Sequence, residues 1–406
     1  MNESEQWWNT PAHQPDPDRA RVAELSTMDL ETPAFVYDEK VIAEDVATAR
    51  DALAPTGAKL LFAVKAFSFE DGLAVMAPLV DGFHTSSLFE ARLARHVIGD
   101  GIVHTTTPGL RPSDAGDIFE LSDRISFNSV SQWQRFADAA VGRTSPGLRV
   151  NPRLSFVADE RLDPCARNSK LGVPIDQLAA RVRTSPQVLE GIEGLLVHSN
   201  CESIEFDDLL RLVEHLVDQL DPMLRRLKWV NLGGGYLFRD ARDHTPLRKA
   251  VSLLRDTYGV EVLVEPGTSL IYRAGSLVTT VVDLIEGPGR DIAVLDVPIT
   301  HVPEVLEFPF LPDVAATDGA NRYLLAGASC LVSDQFGLHS FPEPLRVGSR
   351  VVISDVGAYS LVEASWFNGI SLPTVYSRAP DGSVTLRRRY RYDDFLTING
   401  GSHARH

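Results

Sequence analysis

The chain is poor in cysteine: Cys165, Cys201 and Cys330 are the only three in 406 residues. An odd number with no CxxC pair makes a poor disulfide framework, so a reducing, cytoplasmic setting is expected. Positive charge is also short. Thirty-nine Lys and Arg stand against 55 Asp and Glu, and the net charge of −16 leaves no broad basic field for nucleic acid or an anionic membrane. No apolar run approaches the roughly 18 residues that suggest a membrane span. The N-terminus, MNESEQWWNTPAHQPDPDRA, lacks a basic segment leading into an apolar core, so no secretory signal is expected. Its Pro, Asp and Gln content reads as a loose arm over residues 1–31. Trp7 and Trp8 either anchor that arm to a surface or belong to a disordered leader. Solenoid-period repeats and low-complexity tracts are absent, and no metal site is expected. What remains is an ordinary soluble composition in a chain long enough for two domains.

The informative feature that is present is an alternation. Eight short β-rich runs end in polar or glycine residues: KLLFAVK (59–65), DGFHTSS (81–87), IVHTTTP (102–108), RISFNSV (124–130), GLRVNP (147–152), IEGLLVHSN (192–200), WVNLGGG (229–235) and VLVEPG (262–267). Helical stretches lie between them. In SIEFDDLLRLVEHLVDQL, for example, Phe206, Leu209, Leu210, Val213 and Leu216 recur at helical spacing, and Asp71, Ser113 and Asp207 are candidate N-caps. Strands alternating with helices imply a parallel sheet, and eight repeats over roughly 230 residues match a closed (β/α)8 barrel better than an open doubly wound sheet. After about residue 270 the texture changes to β-rich runs broken by Gly, Pro and Asp, which reads as an antiparallel β domain. The expected organisation is an arm over 1–31, a strand over 32–38 joining the β domain, a barrel over 39–272 and the C-terminal β domain over 273–406.

In such a barrel the site sits at the C-terminal ends of the strands. Lys65 ends the first strand after an apolar run, where desolvation favours a neutral amine able to form a Schiff base; taken alone, it reads rather as a solvated charge. His198 ends the sixth strand, suited to stack on a planar group or to a structural role. Gly233, Gly234 and Gly235 follow the seventh strand and suit a phosphate cradle of backbone N–H groups. Glu265 ends the eighth, where a carboxylate keeps a pyridine nitrogen protonated. Each signal is weak singly; the combination in that order points to pyridoxal phosphate (PLP).

At these residues the sequence resembles the alanine-racemase-fold PLP decarboxylases, the group containing ornithine and diaminopimelate decarboxylases, and within it the carboxynorspermidine decarboxylases. The resemblance runs from about Thr32 to Val375. It is carried by TPAFVYDEK, FAVKAF, DGFHTSSLFEARL, LRVNP, PCARNSKLGV, HSNCE, WVNLGGGY, VEPG, LDVPITHVPEVLEFPF, AGASCLVSD and AYSLVEASWFNGISLP. It implies that Lys65 holds PLP, that His198 stacks on its ring and that Glu265 pairs with the ring nitrogen. Gly233 to Gly235, the backbone near Gly267 and the Tyr359 hydroxyl would hold the phosphate. Cys330 would return a proton after CO2 leaves, contributed across a homodimer interface, and Asp334 would face a distal substrate amine, with Glu304 and Glu307 nearby.

Departures from the family pattern bear on substrate. Thr268 stands where diaminopimelate and ornithine enzymes carry arginine after EPG, and Leu331 where the diaminopimelate enzyme has an acidic residue. Both favour the polyamine-type subfamily. Lys170, Leu311 and Trp366 depart from that subfamily in turn. The expectation is therefore a decarboxylase of a carboxylated polyamine, with two alternatives: a related carboxylated amine of a specialised pathway, or a racemase on the same fold.

Overall fold

The computed structural model describes residues 19–157, 159–287, 289–304, 312–315 and 319–401. The chain divides into two compact units, Ile42–Leu270 in one and Met1–Val41 with Ile271–His406 in the other. The first is a barrel. Strand β1 (Ala34–Asp38) belongs to the other unit, and the barrel starts at β2 (Lys59–Ala63). It continues through β3 (Gly82–Thr85), β4 (Ile102–Thr107), β5 (Arg124–Phe127) and β6 (Ser145–Asn151). After the two-residue β7 (Val173–Pro174), which pairs with β6, come β8 (Gly194–Val197), β9 (Trp229–Asn231) and β10 (Glu261–Val264). Parallel pairings join neighbours in the order β2-β3-β4-β5-β6-β8-β9-β10, and β10 pairs back to β2. The closed eight-stranded barrel expected from the alternation is thus present, with all eight strands where the runs placed them.

The runs become strands because they are buried on both faces, as a parallel barrel requires; every residue of β3, β8 and β9 is buried. Inside, the Trp229 indole lies where a Cβ on Gly147 or Gly194 would overlap it, so two strand glycines make room for the largest core side chain. Its Nε1–H donates to Ser145 Oγ at 2.8 Å. Helices cover the outside. On the helix Asp207–Leu224, Leu209, Leu212, Val213, Leu216 and Leu220 form the buried stripe. The expected caps Asp71, Ser113 and Asp207 fall inside first helical turns instead. The serines that do cap with their side chains are Ser87 (from Glu90 N–H) and Ser129 (from Gln132 N–H).

The second unit is a mostly antiparallel sheet. β11 (Gly275–Ile285) pairs antiparallel with β1, with β12 (Asp291–Leu295) and with β16 (Arg350–Ser354), and β16 also pairs antiparallel with the two-residue β13 (Asp313–Val314). β14 (Asn321–Ala326) and β15 (Gln335–Phe341) extend one end, and β17 (Thr374–Arg378) and β18 (Val384–Arg388) the other. Among the described strands two pairings are parallel, β1 with β17 and β12 with β14. Part of the expected loose arm is ordered here. Arg19–Glu24 is helical, and Val22, Leu25 and Leu30 pack with Val36, Val278 and Val352 in one core cluster. Trp7 and Trp8 lie outside the described residues. No described helix is long and apolar enough to cross a membrane, and no group of three metal-ligating side chains occurs among the described residues.

Candidate active site

Lys65 sits in the short turn Val64–Ala66 directly after β2. Ala63 N–H donates to Pro266 O at 3.1 Å, which ties this turn to the EPG turn after β10. Gly267 is small enough for the approach: a Cβ there would stand 3.0 Å from Ala66 Cβ. Much of the Lys65 side chain is open to solvent, yet protein walls it closely enough that desolvation lowers its pKa, with Arg149 pushing the same way and Glu265 opposing.

Glu265 is 7% exposed, and burial raises its pKa from 4.5 to about 7. That shift corresponds to on the order of 3 kcal/mol against the charged form. Asn231 Nδ2 donates to Glu265 Oε2 at 2.6 Å and lies 2.9 Å from His104 Nδ1, which makes that nitrogen the acceptor. His104 Nε2–H therefore donates to Ser126 Oγ at 2.8 Å, and burial holds this imidazole neutral, down to about 3. Asn231 Oδ1 accepts from Gly233 N–H at 2.8 Å. One amide thus links the carboxylate, a barrel histidine and the glycine loop. His84 Nε2 is 3.5 Å from Glu265 Oε2, and neither of its ring nitrogens has a hydrogen-bond partner. Burial and the neighbouring His104 keep it neutral. Glu265 therefore has no cation bonded to it among these neighbours.

His198 follows β8, and its Nδ1 accepts from Gly234 N–H at 3.1 Å, so any proton of the neutral ring is on Nε2. The glycine triplet is thereby partly committed. Gly233 and Gly234 give their N–H groups to Asn231 and His198, and the Gly235 N–H has no acceptor among the described residues. Of the backbone N–H groups read from the sequence as a cradle, two are thus bonded within the protein. Gly235 has φ +87°, and a Cβ there would strike the Asn200 carbonyl. Gly235→Ala should lower stability by roughly 2–3 kcal/mol, read by denaturant unfolding; an unchanged midpoint would show that the loop relaxes freely.

Sequence reasoning missed His84, His104, Asn231 and Arg149. Arg149, inside LRVNP, is half-buried, burial lowers its pKa, and no carboxylate lies within ion-pair distance among the described residues. Glu90, half-buried with its pKa raised by burial, accepts Ser86 N–H at 2.6 Å. Cys165 and Cys201 have thiols pushed up to about 12 and about 11, chiefly by burial.

The remaining expected residues lie in the β unit. Tyr359 is half-buried at φ +59°, Cys330 is exposed and Glu304 is half-buried; Glu307 lies outside the described residues. Asp334 turns its carboxylate toward the main chain. It is 3% exposed, and its oxygens accept Ile299 N–H at 2.6 Å and Ser329 N–H at 2.7 Å. The carboxylate expected to face a substrate amine thus carries a main-chain role.

No family model matches the chain. It is 32% identical over 378 residues to a carboxyaminopropylagmatine decarboxylase of Synechocystis sp., covering 90% of this chain and 95% of that one. It is 30% identical over 370 residues to a carboxynorspermidine/carboxyspermidine decarboxylase of Herminiimonas arsenicoxydans, covering 91% and 99%. Among solved structures it is similar to carboxynorspermidine decarboxylase of Campylobacter jejuni in complex with norspermidine, at 29% identity and a TM-score of 0.81, covering 91% of this chain and all of that one. A diaminopimelate decarboxylase from Helicobacter pylori shares the fold, with a TM-score of 0.82 at 16% identity.

Proposed function

The chain belongs to the carboxynorspermidine/carboxyspermidine decarboxylase family, and on that premise we propose that it is a PLP-dependent carboxy-lyase acting on a carboxylated polyamine. The observation that carries the cofactor assignment is the buried Glu265 carboxylate, with no charged partner bonded to it among the described residues, at the same barrel mouth as a desolvated lysine. A protonated ring nitrogen would supply the missing charge. Bound there, PLP provides an electron sink for the bond broken at the substrate's Cα.

This chain's residues do the rest. Lys65 would hold the cofactor's carbonyl carbon and give up that place to the substrate amine. His198, neutral and tethered to Gly234, would lie against the ring. The Gly235 N–H, the backbone at Gly267 and the Tyr359 hydroxyl would take the phosphate, while Gly233 and Gly234 shape the loop. Asn231 fixes the Glu265 carboxylate, which would face the ring nitrogen. Cys330, exposed on its own subunit, would return a proton to Cα in the site of a second copy, which makes the working enzyme a homodimer. Glu304 and Glu307 are the acidic groups proposed for the distal cation. A cytoplasmic location is part of this reading and agrees with three free thiols.

A second substrate has its own support, because the 32% identical relative is a carboxyaminopropylagmatine decarboxylase. Steady-state CO2 release from carboxynorspermidine, carboxyspermidine, carboxyaminopropylagmatine, diaminopimelate, ornithine, lysine and arginine separates the readings. A carboxylated polyamine should exceed diaminopimelate in kcat/KM by about a hundredfold or more, the scale set by an unpaired charge in a site built for another. Preference for diaminopimelate or lysine would overturn the assignment.

A further inference from the structure

The segment 327–334 that carries Cys330 joins β14 to β15. Apolar packing does not hold it: Val332 is 94% exposed and Cys330 is exposed. Polar contacts to the main chain hold it instead. Asp334 Oδ2 accepts Ser329 N–H inside the loop, and its Oδ1 accepts Ile299 N–H from the short turn Ile299–His301. Gly327 N–H closes the loop onto Asp334 O at 2.9 Å, and a Cβ on Gly327 would lie 2.6 Å from Asp334 Oδ2, so only glycine leaves room for the carboxylate. From the other side, Cys330 N–H donates to Asn368 Oδ1 at 2.8 Å. Asn368 has φ +57°, a left-handed conformation that asparagine adopts more readily than most residues. Ser365 N–H donates to Thr300 O at 3.2 Å, which anchors the Asn368 segment to the same Ile299–His301 turn. Three stretches far apart in sequence are cross-linked around one exposed thiol.

We propose that Asp334 and Asn368 are positioning residues for Cys330: Asp334 braces the loop from within and Asn368 pins the cysteine's own amide, so the thiol is presented at a fixed point. The importance of that point for turnover rests on the role proposed for Cys330, whereas the clamp itself does not. A carboxylate already spent on two amides and sealed from solvent is not a substrate ligand, and exchanging it for a neutral side chain changes loop order before it changes affinity.

The test uses the PLP-loaded protein and its variants Asp334→Asn and Asn368→Ala, with Asn368→Asp as the variant that keeps an acceptor oxygen. Hydrogen exchange of peptides covering 297–301 and 327–334 is read beside steady-state kinetics. Both disrupting variants should speed exchange in these peptides by about tenfold or more, leave barrel peptides unchanged, and lower kcat by about tenfold with little change in KM. Asn368→Asp should recover most of the protection. Unchanged loop exchange in both variants would overturn the clamp. So would an Asp334→Asn variant with intact kcat and a tenfold higher KM, because that would return Asp334 to the substrate. Should Asp334→Asn fail to fold, Asn368→Ala at an exposed position decides alone. Loosened loops together with full activity in Cys330→Ser would leave the clamp standing and reject only the proton-return role.

Discussion

Lys65→Ala should abolish the visible absorbance of the cofactor–lysine linkage and lower CO2 release by about 10⁴-fold or more, the scale at which removal of a covalent catalytic group acts. The loss should be chemical and not structural. Lys65 makes no hydrogen bond or ion pair in the described structure, and its amine stands where burial opposes its charge. Alanine removes that burden, so the melting temperature of the cofactor-free protein should hold or rise. A variant that keeps the band, or that loses activity only through unfolding, would remove Lys65 from the proposed role.

Glu265→Gln should separate stability from function. The folded-state pKa of Glu265 is raised from 4.5 to about 7, so its contribution to stability is complete below pH 4.5 and is lost as pH climbs through about 7. Glutamine carries no charge to desolvate and can still face the Asn231 amide. Cofactor-free Glu265→Gln should therefore exceed the parent in stability at pH 8 by up to about 3 kcal/mol, with the gap closing toward pH 4.5. The loaded variant should lose about 10²–10³ in decarboxylation rate, since the electron sink is no longer held protonated. Equal stability at pH 8 would mean that the carboxylate is compensated, and an undiminished rate would mean that it does not face the ring.

Much of the barrel was legible because eight short β-rich runs alternate with helical stretches, and because a barrel puts function at strand ends. Lys65, His198 and Glu265 stand out by that rule. The second tier does not follow from it. His84 and His104 look like ordinary strand residues, and Asn231 matters through His104, 127 positions away, and Glu265, 34 away. No local pattern carries such pairings. The glycine triplet was recognisable as a turn, but the commitment of two of its N–H groups depends on where the His198 ring and the Asn231 amide point. Asp334 shows the same limit: its charge is visible in the sequence and its inward direction is not. At the N-terminus, composition misled over residues 19–30, where Val22, Leu25 and Leu30 outweigh the polar surroundings by packing into a core.

The central claim is that this barrel holds PLP through Lys65. The most direct test is to load the purified protein with PLP, reduce with borohydride, digest, and locate the added mass by peptide sequencing. The account predicts one modified peptide, carrying the cofactor on Lys65. Modification at another lysine such as Lys59 or Lys170, or none under conditions where PLP is bound, would contradict it.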